Sequence, residues 1–285
     1  MEGIKRIKYS IGLVIIIMTS PFFMFGQAKE LNTQMIHIGD SLLDQQDFEG
    51  ALKIYTAVIK KTKRKSDYDL SILYKRAYCF YALKRFDESL TDLNQYLEKI
   101  PNEKAKILRL YVNQELGDTA AQLIDLNALL AERPESDELL RWRLSILMDS
   151  EQYKAAQGDI RKMLSHEDDP DLKGYLGLTY YYLENPDSAI IIFDQVIEQH
   201  PSHIQTYLYA GSICLEEGAY DAALHYINKG IKLDPSNATL QYYKGAALVE
   251  KEDLIEGCRC LNKAFANGID DAAGYLEEYC YGEAN

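Results

Sequence analysis

The sequence predicts an all-α fold, an α-solenoid built from repeated helical hairpins. A 34-residue pattern occurs twice between residues 170 and 237, and apolar residues recur within it at the spacing of one helix face. Six positions of the first copy correspond to similar or identical residues 34 positions later, in the pairs Leu176/Ala210, Gly177/Gly211, Tyr180/Cys214, Ala189/Ala223, Phe193/Ile227 and Pro201/Pro235. A fixed period of this length is typical of helical repeat arrays, in which each unit packs only against its neighbours.

Each copy is predicted to contain two helices. The apolar stripes, at spacings i, i+4 and i+7, are Leu176, Tyr180 and Leu183 on the first helix and Ala189, Phe193 and Val196 on the second. Gly177 lets the neighbouring helix approach closely, at some cost in helix propensity. Pro201 marks the end of the second helix, because proline lacks an N–H and disfavours helix in the residue before it. Asp169 and Pro170 predict a helix start, a capping acid followed by a first-turn proline.

These residues resemble the tetratricopeptide repeat family, whose unit is a pair of antiparallel helices. The resemblance implies a right-handed superhelix of about seven tetratricopeptide-like hairpins and a C-terminal capping helix. The predicted hairpins cover about 32–65, 70–103, 104–136, 137–169, 170–203, 204–237 and 238–271, and the cap covers 272–281. The resemblance is strong in the first, second, fifth and sixth hairpins and weak in the other three. Another helical-hairpin solenoid, such as the Sel1 type, is the alternative.

Two irregularities interrupt the period. Residues 66–69 form a short insertion after the first hairpin, and the third hairpin is one residue short. The predicted core positions of the first two hairpins are Ile38, Gly39, Leu42, Ala51, Tyr55 and Val58, followed by Leu73, Ala77 and Phe80.

Residues 1–28 are predicted to be an export signal, and residues 29–285 the solenoid. Lys5, Arg6 and Lys8 form a basic head, an apolar body runs from 11 to 25, and 26–28 resembles a small-residue cleavage site. We therefore expect an exported protein, periplasmic or secreted, whose mature chain begins near residue 29. An uncleaved N-terminal anchor is the alternative, because the apolar stretch is nearly long enough to span a bilayer.

Charge is unevenly distributed along the chain. The net charge is −13, which argues against general nucleic-acid binding. Residues 29–165 hold 21 lysines and arginines against 22 acids, whereas residues 166–285 hold 7 against 21. A basic patch follows the first hairpin and consists of Lys60, Lys61, Lys63, Arg64 and Lys65. It is either a solvated helix C-terminus, where cations complement the helix dipole, or a contact with anionic lipid or polymer.

No motif predicts an enzyme, a cofactor or a metal site. The sequence has no glycine-rich phosphate loop, nucleophile elbow or paired His-Glu zinc motif. His200 and His203 flank a turn with no obvious third ligand. The acidic run at 167–171 is better explained by helix capping than by a calcium loop.

Five cysteines are too few and too irregular for a disulfide framework. Cys79 and Cys214 are expected to be buried thiols that act as small apolar residues. Cys258 and Cys260 are two apart on a helix and point in different directions, so they cannot pair with each other. A bond between Cys258 and Cys280 would be permissible after export and would fix the cap, but the sequence leaves the orientation of the cap open.

The family resemblance implies that partners lie along the concave face lined by the first helices. The predicted groove residues are Tyr74, Tyr78, Tyr81, Leu178, Tyr181, Tyr182, Leu208, Leu215 and Tyr242. Tyrosine buries a large area and keeps a hydroxyl for hydrogen bonding, which explains its enrichment at interfaces. The leading hypothesis is an exported scaffold that binds a protein or peptide segment there. The alternative is a structural subunit of a membrane-associated envelope assembly.

One helix of this face carries two stripes. Tyr74, Tyr78 and Tyr81 follow the core stripe of the second hairpin one residue later, so they face about 100° away from it. Such a second stripe covers either a ligand or the next hairpin. The sequence leaves both open.

Overall fold

The computed structural model describes residues 21–61 and 70–281, with side chains from residue 30 onward. Its helices are α1 (Pro21–Asp44), α2 (Phe48–Lys61), α3 (Ser71–Ala82), α4 (Phe86–Leu97), α5 (Glu103–Leu116), α6 (Thr119–Glu132), α7 (Asp137–Asp149), α8 (Tyr153–Leu164), α9 (Pro170–Tyr182), α10 (Pro186–Gln199), α11 (Ile204–Glu216), α12 (Tyr220–Leu233), α13 (Ala238–Glu250), α14 (Leu254–Ala266), α15 (Ala272–Tyr275) and a π-helical turn (Leu276–Cys280). No strand occurs in these residues, and the predicted all-α class is confirmed. None of the described helices is both long enough and apolar enough to cross a bilayer.

In the described part of the chain, consecutive helices pair as seven hairpins, from α1–α2 to α13–α14, which we number 1 to 7. The chain divides into two compact units, of which the first ends at Glu132 and the second begins at Arg133. Hairpins 1 to 3 lie in the first unit. Hairpins 4 to 7 and the cap lie in the second. Within each unit, the second helix of one hairpin packs against the first helix of the next, as the repeat pattern predicts.

Helix starts follow the local sequence signals. Asp169 is the N-cap of α9, and its Oδ1 accepts hydrogen bonds from the backbone N–H groups of Asp171 (2.8 Å) and Leu172 (3.4 Å). This confirms the predicted capping acid before Pro170. Asn102, Asn185 and Asn237 cap α5, α10 and α13 in the same manner, each accepting from a backbone N–H three residues later.

The seven hairpin turns share one backbone feature, a residue in the left-handed conformation. Glycine provides it in hairpins 3 and 6, at Gly117 and Gly218. The other five hairpins use residues with a Cβ, which are Gln46, Lys84, Glu151, Glu184 and Glu252, with φ between 58° and 63°. A side chain in this region costs free energy that glycine does not, so these turns are held by their surroundings.

A pair of residues 16 positions apart joins the two helices of every hairpin. The pairs are Gly39–Tyr55, Arg76–Asp92, Arg109–Asp125, Arg143–Asp159, Gly177–Phe193, Gly211–Ile227 and Gly245–Leu261. From hairpin 3 onward the pairs recur every 34 residues. The first step is 37 residues, three more than the period, and spans the predicted insertion at 66–69. The second step is 33, so one residue is missing between Asp92 of hairpin 2 and Arg109 of hairpin 3.

Most predicted core positions are buried, and two predictions are wrong. The buried ones are Ala51, Tyr55, Val58, Leu73, Ala77, Phe80, Ala189, Phe193 and Val196. Ile38 is 53% exposed, because none of the described helices precedes α1 to cover that face. Leu183 is 42% exposed, because α9 ends at Tyr182 and Leu183 lies at its C-cap, where the chain turns away.

The N-terminal helix begins earlier than the repeat pattern predicts. α1 starts at Pro21, so the predicted cleavage site at 26–28 lies inside a helix. The other residues of the predicted signal, 1–20, lie outside the described residues. Export and cleavage stay predictions.

The predicted cap is present as α15 and the π-helical turn. Ala272 and Leu276 are buried against Val249, Leu261 and Ala264 of hairpin 7. Cys258 of α14 and Cys280 of the turn form a disulfide, with 5.7 Å between their Cα atoms. The alternative that the sequence left open is thereby resolved in favour of the bond.

The three remaining cysteines are free and buried, which confirms the prediction for Cys79 and Cys214. Burial raises the pKa of both these thiols to about 11. They therefore stay protonated at neutral pH and pack as small apolar side chains.

Candidate partner-binding groove

The tyrosine stripe of α3 divides between packing and exposure. Tyr74 is half-buried, with its ring centroid 5.9 Å from that of Tyr96 on α4. Tyr81 is also half-buried, and its ring lies 6.4 Å from that of Tyr111 on α5, the first helix of the next hairpin. Tyr78 is 41% exposed, and its ring lies 6.2 Å from that of Phe48 of the preceding hairpin in an edge contact. Most of this stripe therefore packs between helices, and Tyr78 is its available aromatic side chain.

In the second unit, the predicted leucines contribute mainly to the core. Leu178, Leu208 and Leu215 are partly buried and pack against the cluster that joins hairpins 5, 6 and 7. Of the predicted tyrosines of this unit, Tyr181 and Tyr242 are also partly buried, and Tyr182 is the exposed one. Tyr182 is 50% exposed, and its ring stacks on that of Tyr153 with 4.6 Å between centroids.

Tyr181 connects α9 to α11 by a hydrogen bond. Its hydroxyl donates to Glu216 Oε2 at 2.7 Å. This bond, together with burial, raises the pKa of Tyr181 to about 12. The proton therefore stays on Tyr181 at physiological pH, and Glu216 accepts the hydrogen bond.

A cavity of about 380 Å³ lies between α11, α13 and the cap, and we call it the tyrosine cavity. Its lining consists of Ser212, Leu215, Glu216, Tyr220, Tyr242, Tyr243, Glu250, Asp271 and Tyr275. It brings together Leu215 and Tyr242, two of the predicted groove residues, with Glu216, the acceptor of Tyr181. The remaining predicted groove residues lie outside this lining.

The tyrosine cavity has a strongly negative electrostatic environment. Burial is the main cause that raises the pKa of Tyr243, and the charges of Glu216 and Asp271 raise it further. The pKa of Tyr275 is raised in the same way, by burial and then by Glu250. The field therefore disfavours any further negative charge in the cavity.

Sequence reasoning missed several residues of the cavity, and the repeat register contained the signal for one of them. Tyr175, Tyr209 and Tyr243 each stand two residues before the glycine of their hairpin's 16-residue pair. Aligning the repeats on those glycines marks Tyr243 as a groove position. Asp271 and Tyr275 belong to the cap, which has no repeat register, so no such signal exists for them.

The predicted basic patch is only partly described. Lys60 and Lys61 are exposed in the last turn of α2, where they complement the helix dipole. The three remaining residues, 63–65, lie outside the described residues. A cleft of about 650 Å³ beside Lys60 also contains Arg76 and Arg85, but both arginines are paired with acids of hairpin 2.

The two histidines of the 200–203 turn face acids of the preceding loop and helix. His200 Nε2 lies 3.5 Å from Asp168, and His203 Nε2 lies 3.1 Å from Asp171. Among the described residues, no group of three His, Cys, Asp or Glu side chains is arranged to hold a metal ion.

Comparison with known proteins gives a consistent match to one repeat family. The sequence profile described as "Tetratricopeptide repeat" matches residues 37–104 and 176–238. No curated protein sequence matches the chain.

Solved structures share the fold over most of the chain. A tetratricopeptide repeat protein from Parabacteroides merdae is 21% identical and covers 88% of this chain and 98% of its own, with a TM-score of 0.50. The C-terminal part of a repeat protein from Cytophaga hutchinsonii is 17% identical and covers 85% and 99%, with a TM-score of 0.58. PilW, a type IV pilus biogenesis factor, is 12% identical and covers 73% and 98%, with a TM-score of 0.53. At these identities the likeness shows the fold.

Proposed function

Because the chain belongs to the tetratricopeptide repeat family, whose fold typically mediates protein–protein interaction, we propose that it is an exported scaffold that binds a segment of a partner protein along its first helices. The tyrosine cavity carries this proposal. It is a concave site lined by four tyrosines together with three carboxylates, a serine and a leucine. Tyrosine is enriched at protein interfaces, and the carboxylates offer fixed polar contacts to a partner.

Export is supported by the N-terminal sequence. A basic head, an apolar body and a small-residue site at 26–28 have the order of a secretory signal. N-terminal sequencing of the mature protein from fractionated cells tests this part of the proposal, and a terminus near residue 29 is the expected result. Membrane-bound material that retains Met1 would indicate an uncleaved anchor.

Photo-crosslinking tests where the partner binds. A benzophenone amino acid replaces the exposed Tyr182 on a first helix, and in a matched variant it replaces Ile191, which is 57% exposed on the second helix α10 of the same hairpin. The proposal expects a discrete adduct from position 182 and none from position 191. Adducts at position 191 alone would instead support the second candidate.

That second candidate is a structural subunit of a membrane-associated envelope assembly. It is favoured by the exposed Lys60 and Lys61, which begin a run of five cations within six residues. Such a subunit would retain its complex when groove residues are replaced and would lose it when the basic run is neutralised.

The exposed tyrosine of hairpin 2 gives a quantitative test. Tyr78→Ala should weaken partner binding about ten- to a hundredfold if Tyr78 is an anchor, while unfolding free energy changes by less than about 1 kcal/mol. Tyr74→Ala is the control, because its half-buried ring packs on Tyr96 and its loss should cost about 2–4 kcal/mol of stability. Equal destabilisation by both variants would assign Tyr78 to packing.

A further inference from the structure

The walls of the tyrosine cavity are rings that present their faces and edges to one another. Tyr242 lies 5.3 Å from Tyr243 and 6.1 Å from Tyr275 between ring centroids, and the second contact is perpendicular. Tyr275 of the cap stacks on Tyr279 at 5.8 Å. An aromatic face attracts a cation positioned within about 6 Å of its centroid, so this wall suits a positively charged group.

Three carboxylates border the same cavity, and none of them forms an ion pair with a described lysine or arginine. Glu216 accepts the hydroxyl of Tyr181, and Glu250 accepts that of Tyr220 at 3.3 Å. Within the described part of the chain, no lysine or arginine lies within 4.0 Å of Glu216, Glu250 or Asp271.

Several other acids of the second unit pair with a cation. Asp159 pairs with Arg143, Asp221 with Lys251, and Glu256 with both Lys244 and Arg259. The acids of this unit that find a partner are thus at the hairpin interior or the outer surface. No such pair is formed, among the described residues, by the three carboxylates at the tyrosine cavity.

We propose that the tyrosine cavity binds a lysine or arginine side chain presented by an extended segment of the partner protein. The inference rests on the proposed function, and charge complementarity decides the occupant. The cationic head lies against the tyrosine faces and between Glu216, Glu250 and Asp271. Its methylene stem packs on Leu215, since long basic side chains bury their stems on apolar surface.

The charge distribution of the chain favours the same partner at longer range. Residues 166–285 hold 7 cations against 21 acids, so their field attracts basic segments and repels acidic ones. Long-range attraction speeds the encounter of the protein with a basic partner. The cavity gives local contacts with one basic side chain, which distinguish specific binding from general charge attraction.

The test measures binding of fluorescein-labelled peptides by anisotropy, with full-length mature protein at about 0.15 M salt, where exposed charges are screened beyond about 8 Å. The probe is a short peptide that alternates lysine and serine, and its counterpart replaces lysine by glutamate. The cavity variant is Glu216→Gln/Glu250→Gln/Asp271→Asn. The matched variant is Glu184→Gln/Asp187→Asn/Glu198→Gln, three exposed acids of hairpin 5 outside the cavity.

We expect the lysine peptide to bind, the cavity variant to lose about tenfold or more in affinity, and the matched variant to stay within about twofold of the wild type. Equal losses in both variants would show general charge attraction and overturn the proposal. So would equal binding of the glutamate peptide. Thermal melts of both variants establish that each is folded. Tyr242→Leu, which keeps the charge and removes a ring, should also weaken binding severalfold.

The crosslinking experiment separates failure of this inference from failure of the proposed function. If position 182 crosslinks a partner that excess lysine peptide does not displace, the scaffold proposal stands and the basic specificity is wrong. If position 182 gives no adduct at all, the scaffold proposal itself fails.

Discussion

Hairpin 4 and hairpins 5, 6 and 7 fill one position with opposite chemistry. In hairpin 4, Arg143 of the first helix donates two hydrogen bonds to Asp159 of the second, at 2.7 and 2.5 Å. The Asp159 side chain is only 3% exposed. In hairpins 5 to 7, the same two positions hold a glycine and a large apolar residue. Hairpins 2 and 3 of the first unit follow the pattern of hairpin 4.

The glycine version works by removing a side chain. A Cβ on Gly177 would lie 2.7 Å from Cζ of Phe193 and closer still to Cε1, and a Cβ on Gly211 would lie 2.6 Å from Cγ1 of Ile227. The two helices of these hairpins therefore approach until the apolar side chain touches the opposite backbone. Close packing of this kind gains dispersion and buried apolar area without requiring a fixed partner.

The arginine version depends on two partners at once. Removing a carboxylate and a guanidinium from water is costly, and the bidentate geometry offsets that cost only while both groups are present. The comparison shows that the same position of the repeat accepts either of two contacts. The glycine contact allows different apolar residues opposite it, whereas the arginine–aspartate contact fails when either residue is lost. The predictions below test this difference, from the largest effect to the smallest.

The largest effect is expected from breaking the buried ion pair of hairpin 4. Arg143→Leu leaves Asp159 buried without its guanidinium and should lower the free energy of unfolding by about 3–5 kcal/mol. Chemical denaturation measures the loss.

The double variant Arg143→Gly/Asp159→Ile transplants the pair of hairpin 6 into hairpin 4. It should recover at least half of that loss, because it leaves no buried charge unpaired. A double variant as unstable as the single one would show that the two chemistries are not interchangeable at this position.

A smaller effect is expected at hairpin 7, where the Cys258–Cys280 disulfide adds to the contact between Gly245 and Leu261. Cys258→Ser/Cys280→Ser should lower stability by about 2–3 kcal/mol, because it frees a loop with a sequence separation of 22 in the unfolded chain. Reductant should shift the wild type toward the variant and leave the variant unchanged. A wild type that melts identically with and without reductant would contradict the prediction.

A further decrease is expected from closing the glycine gap of hairpin 5. Gly177→Ala should destabilise the protein by about 1–2 kcal/mol, because the new methyl group overlaps the ring of Phe193. The free-energy cost of this overlap exceeds the gain in helix propensity. Gly158→Ala in α8 is the matched control. Nothing lies within 4 Å of a Cβ there, so it should gain about 0.5–1 kcal/mol. A lower melting temperature for Gly177→Ala and a higher one for Gly158→Ala would identify the contact with Phe193 as the cause. Two stabilised variants would refute it.

The smallest effect concerns the hairpin turns. In both units the left-handed residue of the turn is glycine in one hairpin and a residue with a Cβ in the others. Glu151→Gly should stabilise hairpin 4 by up to about 1 kcal/mol, since φ of 59° strains a residue with a Cβ. Gly218→Ala in hairpin 6 is the reverse exchange and should destabilise by about 1 kcal/mol. Thermal melts with the same sign for both would show that the turn is not the source of strain.

Repeat spacing could be predicted from the sequence, because it is a local property of the chain. The apolar period of a helix, the prolines and the 34-residue recurrence placed the hairpins and located the insertion at 66–69. The Arg–Asp pairs were not recognised, because a charged residue on a helix normally faces solvent and only its partner on another helix brings it inside. That partner is 16 residues away, on a different helix.

The groove was predicted less completely than the fold. Leu215 and Tyr242, two of the predicted groove residues, line the tyrosine cavity, whereas Tyr74 and Tyr81 mainly pack between helices. Partner binding at these residues stays a prediction. Periodicity gives the direction of a side chain around its own helix, but exposure depends on what packs against that face. Asp271 and Tyr275 reach the cavity only because the cap folds back onto hairpin 7.

The sequence by itself determined the all-α class, the hairpin unit, its period and the positions of most core residues, since all of these follow from spacing along one chain. Tertiary structure alone decided which tyrosines remain exposed, where the carboxylates of the cavity meet, and that Cys258 and Cys280 are close enough to bond. Those features depend on distances between helices. Such distances are set by the packing of side chains that the sequence separates by a full helix or more.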